Sequence, residues 1–264
     1  MRVVTLASSS KGNCTLVWTE STKILIDIGI TCSECEMKLK ALGIEPKDID
    51  VILNTHKHGD HTKGITAFAR KYGTRIYVHI DGRDELMSKL GKVDTAQVFA
   101  FDDRAFQIGD MTVQSFKVPH DVECCVGYSI TCGKSKFSYV TDIGHMTDEV
   151  MQHLMGSKLV EIEANHNKEM LIANQHYTPI LKTRILSKNG HLCNDDTAVA
   201  VAKLALSGTK QVILAHLSEE NNTPEIAYRT VVNYLAKNNI AEGVNIKIDV
   251  ADPYKIGTIF NLVD

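Results

Sequence analysis

Four side chains of metal-ligand type stand within six positions, in Thr55-His56-Lys57-His58-Gly59-Asp60-His61, directly behind the apolar run Val51-Ile52-Leu53-Asn54. A short, continuously apolar run of this kind reads as a strand buried on both faces. On a turn leaving such a strand, His56 and His58 point to one side while Asp60 and His61 converge on a neighbouring point. Imidazole and carboxylate suit zinc and, less selectively, manganese or iron. Four costly donors crowded onto one loop have no structural reason to be there unless they bind something.

The rest of the chain has a pattern that frames this loop. Arg2–Leu6, Cys14–Trp18 and Lys23–Asp27 read as a meander broken by Ser8-Ser9-Ser10-Lys11-Gly12-Asn13. A helix is expected at about Cys35–Leu42, ended by Gly43, and further helices at Thr62–Tyr72 and Asp81–Leu90 around a strand at Arg75–Val78. Strands return at Met111–Val118, Val126–Thr131 and Phe137–Thr141, with Gly133 turning the last two into a hairpin. From Met146 onward helices and strands alternate, with strands at Leu159–Glu163, Gln211–Ala215, Val244–Val250 and Thr258–Asn261. Two successive blocks of strands followed by helix and strand predict an α/β chain folded as a four-layer αββα sandwich. With no linker, repeat or low-complexity segment, residues 1–264 read as one domain.

Two metal ions need more donors than one loop supplies. His120 follows Phe116-Lys117-Val118-Pro119, Asp142 follows Phe137–Thr141, and His216 follows Gln211–Ala215. Each comes at the end of an apolar strand, which lets all three gather along one edge of the sandwich. His79 and His153 read as ordinary core or surface histidines.

Composition excludes several classes. The formal charge of -3 offers no global basic footprint, so a polyanion would be met weakly and salt-sensitively through a local groove. The apolar start Met1–Leu6 is too brief for a signal peptide, and no run approaches the ~18 residues of a spanning helix. A cytoplasmic protein without membrane contact is expected, its seven cysteines reduced. The Cys32-Ser33-Glu34-Cys35 pair has no second pair with which to complete a zinc site.

These motifs, in this order, resemble the metallo-β-lactamase superfamily: His56, His58, Asp60 and His61, then His120, then Thr141-Asp142-Ile143-Gly144, then His216. The resemblance implies one ion on His56, His58 and His120 and a second on Asp60, His61 and His216, with Asp142 bridging. It also implies that Asp27, in Leu25-Ile26-Asp27-Ile28-Gly29, braces the ligands from behind. HxHxD argues for hydrolytic zinc or manganese over a redox di-iron site, although iron is also compatible.

Four further segments narrow the resemblance to the YycJ/WalJ group, which is related to RNase Z and the PhnP phosphodiesterases. They are Leu6–Cys14, Glu163-Ala164-Asn165-His166, Gly190-His191-Leu192-Cys193-Asn194 and His216-Leu217-Ser218-Glu219-Glu220-Asn221-Asn222. The implied activity is DNA 5′-to-3′ exonuclease, with two divalent ions supplying hydroxide and gripping a phosphate oxygen. Asp60 would also orient the hydroxide. His191, positioned by Glu163, would protonate the leaving oxygen, with His166 the second choice. Asn194 reads as the N-cap of a helix over Asp195–Leu206, and with His191 it forms the expected phosphate contact. Cys193 stands where the family usually has serine, and His145 where it usually has an aromatic residue. DNA is favoured over RNA because no RNA-binding arm is evident, and a small phosphodiester is a further candidate partner. The rival readings are a hydrolase of a small thioester, lactone or cyclic phosphate, and a non-catalytic binding protein on the same fold.

Overall fold

The computed structural model describes residues 1–262. Its strands are β1 (Arg2–Ala7), β2 (Cys14–Trp18), β3 (Lys23–Ile26), β4 (Val51–Leu53), β5 (Arg75–His79), β6 (Val98–Phe101) and β7 (Phe106–Ile108). They continue with β8 (Met111–Lys117), β9 (Val126–Cys132), β10 (Ser135–Val140), β11 (Leu159–Glu163), β12 (Gln211–Ala215), β13 (Lys247–Val250) and β14 (Phe260–Asn261). The chain falls into two compact units. Unit 1 holds Met1–Ser115, Val122–Val126 and the chain from Asp252 on; unit 2 holds Phe116–Asp121 and Gly127–Ala251. Because the chain passes between units several times, no composition shift or linker marks a boundary in the sequence.

In unit 1 a sheet runs in the order β14-β1-β2-β3-β4-β5-β6. The expected meander is its antiparallel part, and β3 to β6 are parallel. Leu6, Leu16, Leu25, Ile52 and Phe68 are fully buried in its core. Ile26 pairs with Leu53, so β3 and β4 end in step and Asp27 and Asn54 leave the sheet side by side.

In unit 2 the order is β13-β12-β11-β10-β9. β9 and β10 form the expected hairpin, with Gly133 in the left-handed region at φ 58. β10 to β13 are parallel, and Val140, Ile162 and Leu214 lie in register. That register delivers Asp142, Glu163 and His216 to one end of three adjacent strands. The helix Pro224–Lys237 packs on β13 and on the helix Asn194–Leu206.

Several boundaries differ from the sequence reading for local reasons. The first helix is Cys32–Ala41, because the Thr31 hydroxyl accepts the Glu34 N–H and starts it early. The expected Thr62–Tyr72 helix is divided into Gly59–Thr62 and Ile65–Tyr72, where the Gly64 N–H turns to the Ile28 carbonyl. The strand expected from Val244 begins only at Lys247, because Asn245 folds back to accept the Ala241 N–H.

Candidate metal centre

In unit 1 the Asp27 carboxylate is fully buried and saturated with donors. Its Oδ1 accepts the Thr55 N–H and the Asn54 amide, both at 2.9 Å. Its Oδ2 accepts the Thr55 hydroxyl and His61 Nδ1–H, both at 2.7 Å. With its Nδ1 proton committed, His61 carries its lone pair on Nε2, where the Asn13 amide donates at 3.2 Å. The Thr55 hydroxyl gives its own proton to Asp27 and so accepts from His56 Nδ1 at 3.0 Å, which turns the lone pair of His56 to Nε2 as well. The His56 ring lies 4.7 Å from that of His58 and 4.3 Å from that of His61. Asp60 Oδ2 lies 3.4 Å from His61 Nε2. All four donors of the loop are therefore gathered. Gly29 makes this possible: a Cβ there would stand 1.6 Å from the Asp60 carbonyl oxygen, to which the Asn13 N–H also donates.

In unit 2 the donors come from strand ends. His120 Nδ1–H donates to the Gly190 carbonyl at 3.2 Å, and His216 Nδ1–H donates to Glu163 Oε1 at 2.8 Å. Both Nε2 atoms then face Asp142 Oδ1, each at 3.6 Å. Burial lowers the His120 pKa and favours the neutral ring. Two imidazole lone pairs thus confront Asp142 Oδ1 at a separation too long for hydrogen bonds, and that of His120 also faces Asp121 Oδ1 at 3.2 Å. That repels unless a cation stands among them, and nitrogen with carboxylate oxygen is the donor set a divalent metal takes. Asp142, Glu163, His191 and His216 also bring one donor atom each to within 4.8 Å of one another.

Glu163 organises this unit. Its Oε2 accepts the backbone N–H of Ile143 and of Leu192 at 2.9 and 3.0 Å. Its Oε1 accepts from His216 and, at 2.9 Å, from His191 Nδ1. Burial alone would raise its pKa; the charge and hydrogen bond of His191, joined by His216, outweigh burial and hold it at about 2. For His191, burial pulls the pKa down, but Glu163 pulls harder and the net shift is upward. The His191 side chain is 19% exposed, against 1% for His216, so it is the histidine of this pair that reaches solvent.

Backbone strain coincides with these residues. Four non-glycine positions among the described residues have positive φ, and three of them are Asp27, Asp142 and His216. Such conformations are costly and concentrate where function requires a particular aim.

Other expected site residues fare differently. His166 is buried, and burial lowers its pKa to about 4. Its Nδ1 faces the Asn165 side-chain oxygen at 3.3 Å, and its Nε2 has no hydrogen-bond partner. The Asn194 assignments need correction. The helix is Asn194–Leu206 and its cap is Cys193, whose Sγ accepts the Asp196 N–H and donates to Asp196 Oδ2 at 3.0 Å. Asn194 is fully buried, its side chain doubly bonded to Asn222 and its N–H bonded to the His166 carbonyl, so nothing on it is presented to a phosphate. Cys32 and Cys35 are free thiols. The reading missed the Thr55 hydroxyl, although it opens the motif, and the Gly190 carbonyl, which no side-chain pattern announces.

Sheets flanked by helices, with histidines and aspartates at the strand ends, form an α/β fold whose donor set is compatible with a divalent metal, as in the metal-dependent hydrolases. Residues 22–217 match the β-lactamase superfamily domain. The exodeoxyribonuclease WalJ of Streptococcus pneumoniae serotype 2 (strain D39 / NCTC 7466) is 36% identical over 251 residues, covering 94% of this chain and 93% of its own. The exodeoxyribonuclease YycJ of Bacillus anthracis is 35% identical over 251 residues, covering 94% of each. The metallo-β-lactamase fold protein YhfI from Bacillus subtilis aligns over 98% of both chains with a TM-score of 0.73 at 17% identity, a likeness of fold. The chain belongs to the β-lactamase superfamily, as an enzyme of the metallo-β-lactamase fold related to WalJ and YycJ. No helix among the described residues is long and apolar enough to cross a membrane.

Proposed function

We propose that the protein is a cytoplasmic, two-metal phosphodiester hydrolase that degrades DNA from a 5′ end, with residues 1–264 working as one catalytic domain. The observation that carries the reading is Asp142 Oδ1, equidistant at 3.6 Å from Nε2 of His120 and of His216. A carboxylate so placed suits a bridge between two ions. His56, His58 and His120 would hold one ion, and Asp60, His61 and His216 the other. Asp27 would fix the His61 tautomer from behind. When bound, zinc or manganese supplies Lewis acidity at a phosphate oxygen and lowers the pKa of water.

The chain's own residues do the rest. Asp60, half-buried beside His61, orients the attacking water and takes its proton. His191 acts as the imidazolium that Glu163 favours: its Nδ1–H stays on Glu163 Oε1 and its Nε2–H is the proton delivered to the leaving oxygen. His166 is a poorer donor, because burial keeps its ring neutral at pH 7. Support for DNA comes from the names of the WalJ and YycJ relatives. The test is degradation of 5′-labelled single- and double-stranded DNA and RNA by protein loaded with zinc or manganese, with metal content measured. Products released progressively from the DNA 5′ end, at two ions per chain, are expected. Ready cleavage of thioesters or lactones with every phosphodiester left intact would overturn the reading.

A further inference from the structure

Unit 2 holds a cavity of about 330 Å³ that the hydrolytic residues do not use. Met151, Leu192 and Ala200 are buried beneath it and make an apolar floor. Asp148, Asp196 and Lys203 line its polar side, and His145 stands exposed at its edge. We propose that this cavity receives one unstacked nucleobase from a nucleotide flanking the scissile phosphate, with the His145 ring as its stacking wall. The proposal rests on the phosphodiesterase reading and narrows its substrate to nucleic acid with an unpaired base at the cleavage point.

Position is the first argument. Leu192, on the cavity floor, directly follows His191, and its N–H is fixed on Glu163 Oε2 at 3.0 Å. The cavity is thus built on the same backbone segment as the proton donor, one residue along. From the other side, His145 stands three residues beyond Asp142. A phosphate attacked beside Asp142 and His191 has its sugar and base within reach of this cavity.

Rigidity is the second. An exposed histidine ordinarily rotates, but His145 Nδ1–H donates to the Lys188 carbonyl at 2.8 Å. The preceding Gly144 sits so tightly that a Cβ would stand 2.2 Å from that same carbonyl oxygen, and its N–H donates to the Pro119 carbonyl at 2.8 Å. The ring is therefore an exposed plane held in place, which is what a stacking surface requires. Stacking tolerates every base, because each has a π-face.

Chemistry and size complete the case. An apolar floor suits the face of a base, carboxylates accept from its amino edge, and an ammonium donates to its carbonyl oxygens. The volume is at the lower end of the ~300–1,000 Å³ of small-molecule sites, which is ample for one base. A base inside a duplex would have to leave its stack to enter.

The experiment compares single-stranded DNA oligonucleotides that are intact or carry one abasic residue, placed in turn at the terminal nucleotide and at its neighbour. For the wild type, the abasic site should raise KM roughly tenfold at one of the two positions and leave kcat nearly unchanged. Ala200→Met, which fills the floor with a side chain that helices accept, should bring the intact and abasic substrates together. His145→Ala, an exposed substitution, should reduce the difference without abolishing it. Equal KM for intact and abasic substrates in the wild type would overturn the proposal, as would an unchanged difference in both variants. If neither oligonucleotide is cleaved, the nuclease reading itself has failed. Calorimetric binding of deoxyadenosine monophosphate against deoxyribose 5-phosphate then decides the cavity: tighter binding of the nucleotide sustains it, and equal binding removes it.

Discussion

Replacing Glu163 by glutamine changes one atom and should damage two functions at once. The carboxylate accepts four N–H donors: Ile143 and Leu192 backbone on Oε2, His191 and His216 Nδ1 on Oε1. Glutamine has one oxygen and one NH2 group. If its oxygen keeps the two backbone donors, the NH2 faces both imidazoles, and each can then keep a proton only on Nε2. For His216, that protonates the nitrogen 3.6 Å from Asp142 Oδ1, the one proposed to bind metal. The opposite flip sets the NH2 against two buried backbone N–H groups, at about 1–3 kcal/mol each. Loss of such a supporting carboxylate typically lowers metal affinity 10–100-fold, and that range is expected here in competition with a chromogenic chelator.

The same variant carries a signature in stability against pH. The Glu163 pKa, about 2 in the fold, lies below the ordinary 4.5. A depressed carboxylate stabilises the fold above its unfolded pKa, and that contribution is lost as pH falls from about 4.5 toward 2. The difference is worth about 3 kcal/mol in the metal-free protein. Urea denaturation should therefore find Glu163→Gln weaker than wild type by about that amount at pH 7, with the gap closing toward pH 2. A metal affinity within about twofold of wild type, or a gap independent of pH, would refute the tautomer argument.

His58→Ala should abolish phosphodiester hydrolysis while circular dichroism and the melting transition remain close to wild type, because His58 is only partly buried on a loop beyond β4. His191→Ala should slow release of an alkoxide leaving group by roughly 10²–10⁴-fold and release of p-nitrophenolate far less, with metal content unchanged. Equal losses on both substrates would remove the acid role. Cys32 should alkylate slowly at pH 8: burial first, then its hydrogen bond to Glu36, raises its pKa to about 12, so almost none of it is thiolate. Rapid, selective labelling of Cys32 by iodoacetamide, followed by mass spectrometry, would contradict this.

The parts of the centre legible in the sequence are those that local rules determine. His56, His58, Asp60 and His61 share one loop, so their convergence needs no long-range information. His120, Asp142 and His216 were legible as candidates because each ends an apolar run; parallel register brings Asp142 and His216 to one end of adjacent strands, whereas His120, after the antiparallel β8, is aimed by the Gly190 carbonyl. The Asn194 assignment failed because a local preference met a tertiary competitor. Asparagine is a better cap than cysteine by propensity, but Asn222 engages both ends of the Asn194 amide from 28 residues away, and the cap moved to Cys193. The Gly190 carbonyl, which aims His120, was illegible because a backbone acceptor has no residue type to betray it.

The positive φ angles of Asp27, Asp142 and His216 follow a different logic. Local propensity would place glycine at all three, since only glycine adopts that region without strain. Asp27 and His216 directly follow parallel-paired strands and Asp142 comes one residue later, after Thr141; at each a left-handed residue turns the chain sharply out of the sheet. Glycine would relieve the backbone but bring no donor atom. Aspartate and histidine accept the strain and place a carboxylate or an imidazole at the strand end. The three residues that break the local rule are therefore those whose side chains the proposed chemistry requires, and their neighbours supply the compensation. Asp27 is held by Thr55, Asn54 and His61. His216 is held by Glu163 and by the Asn165 amide, which donates to its carbonyl at 2.9 Å.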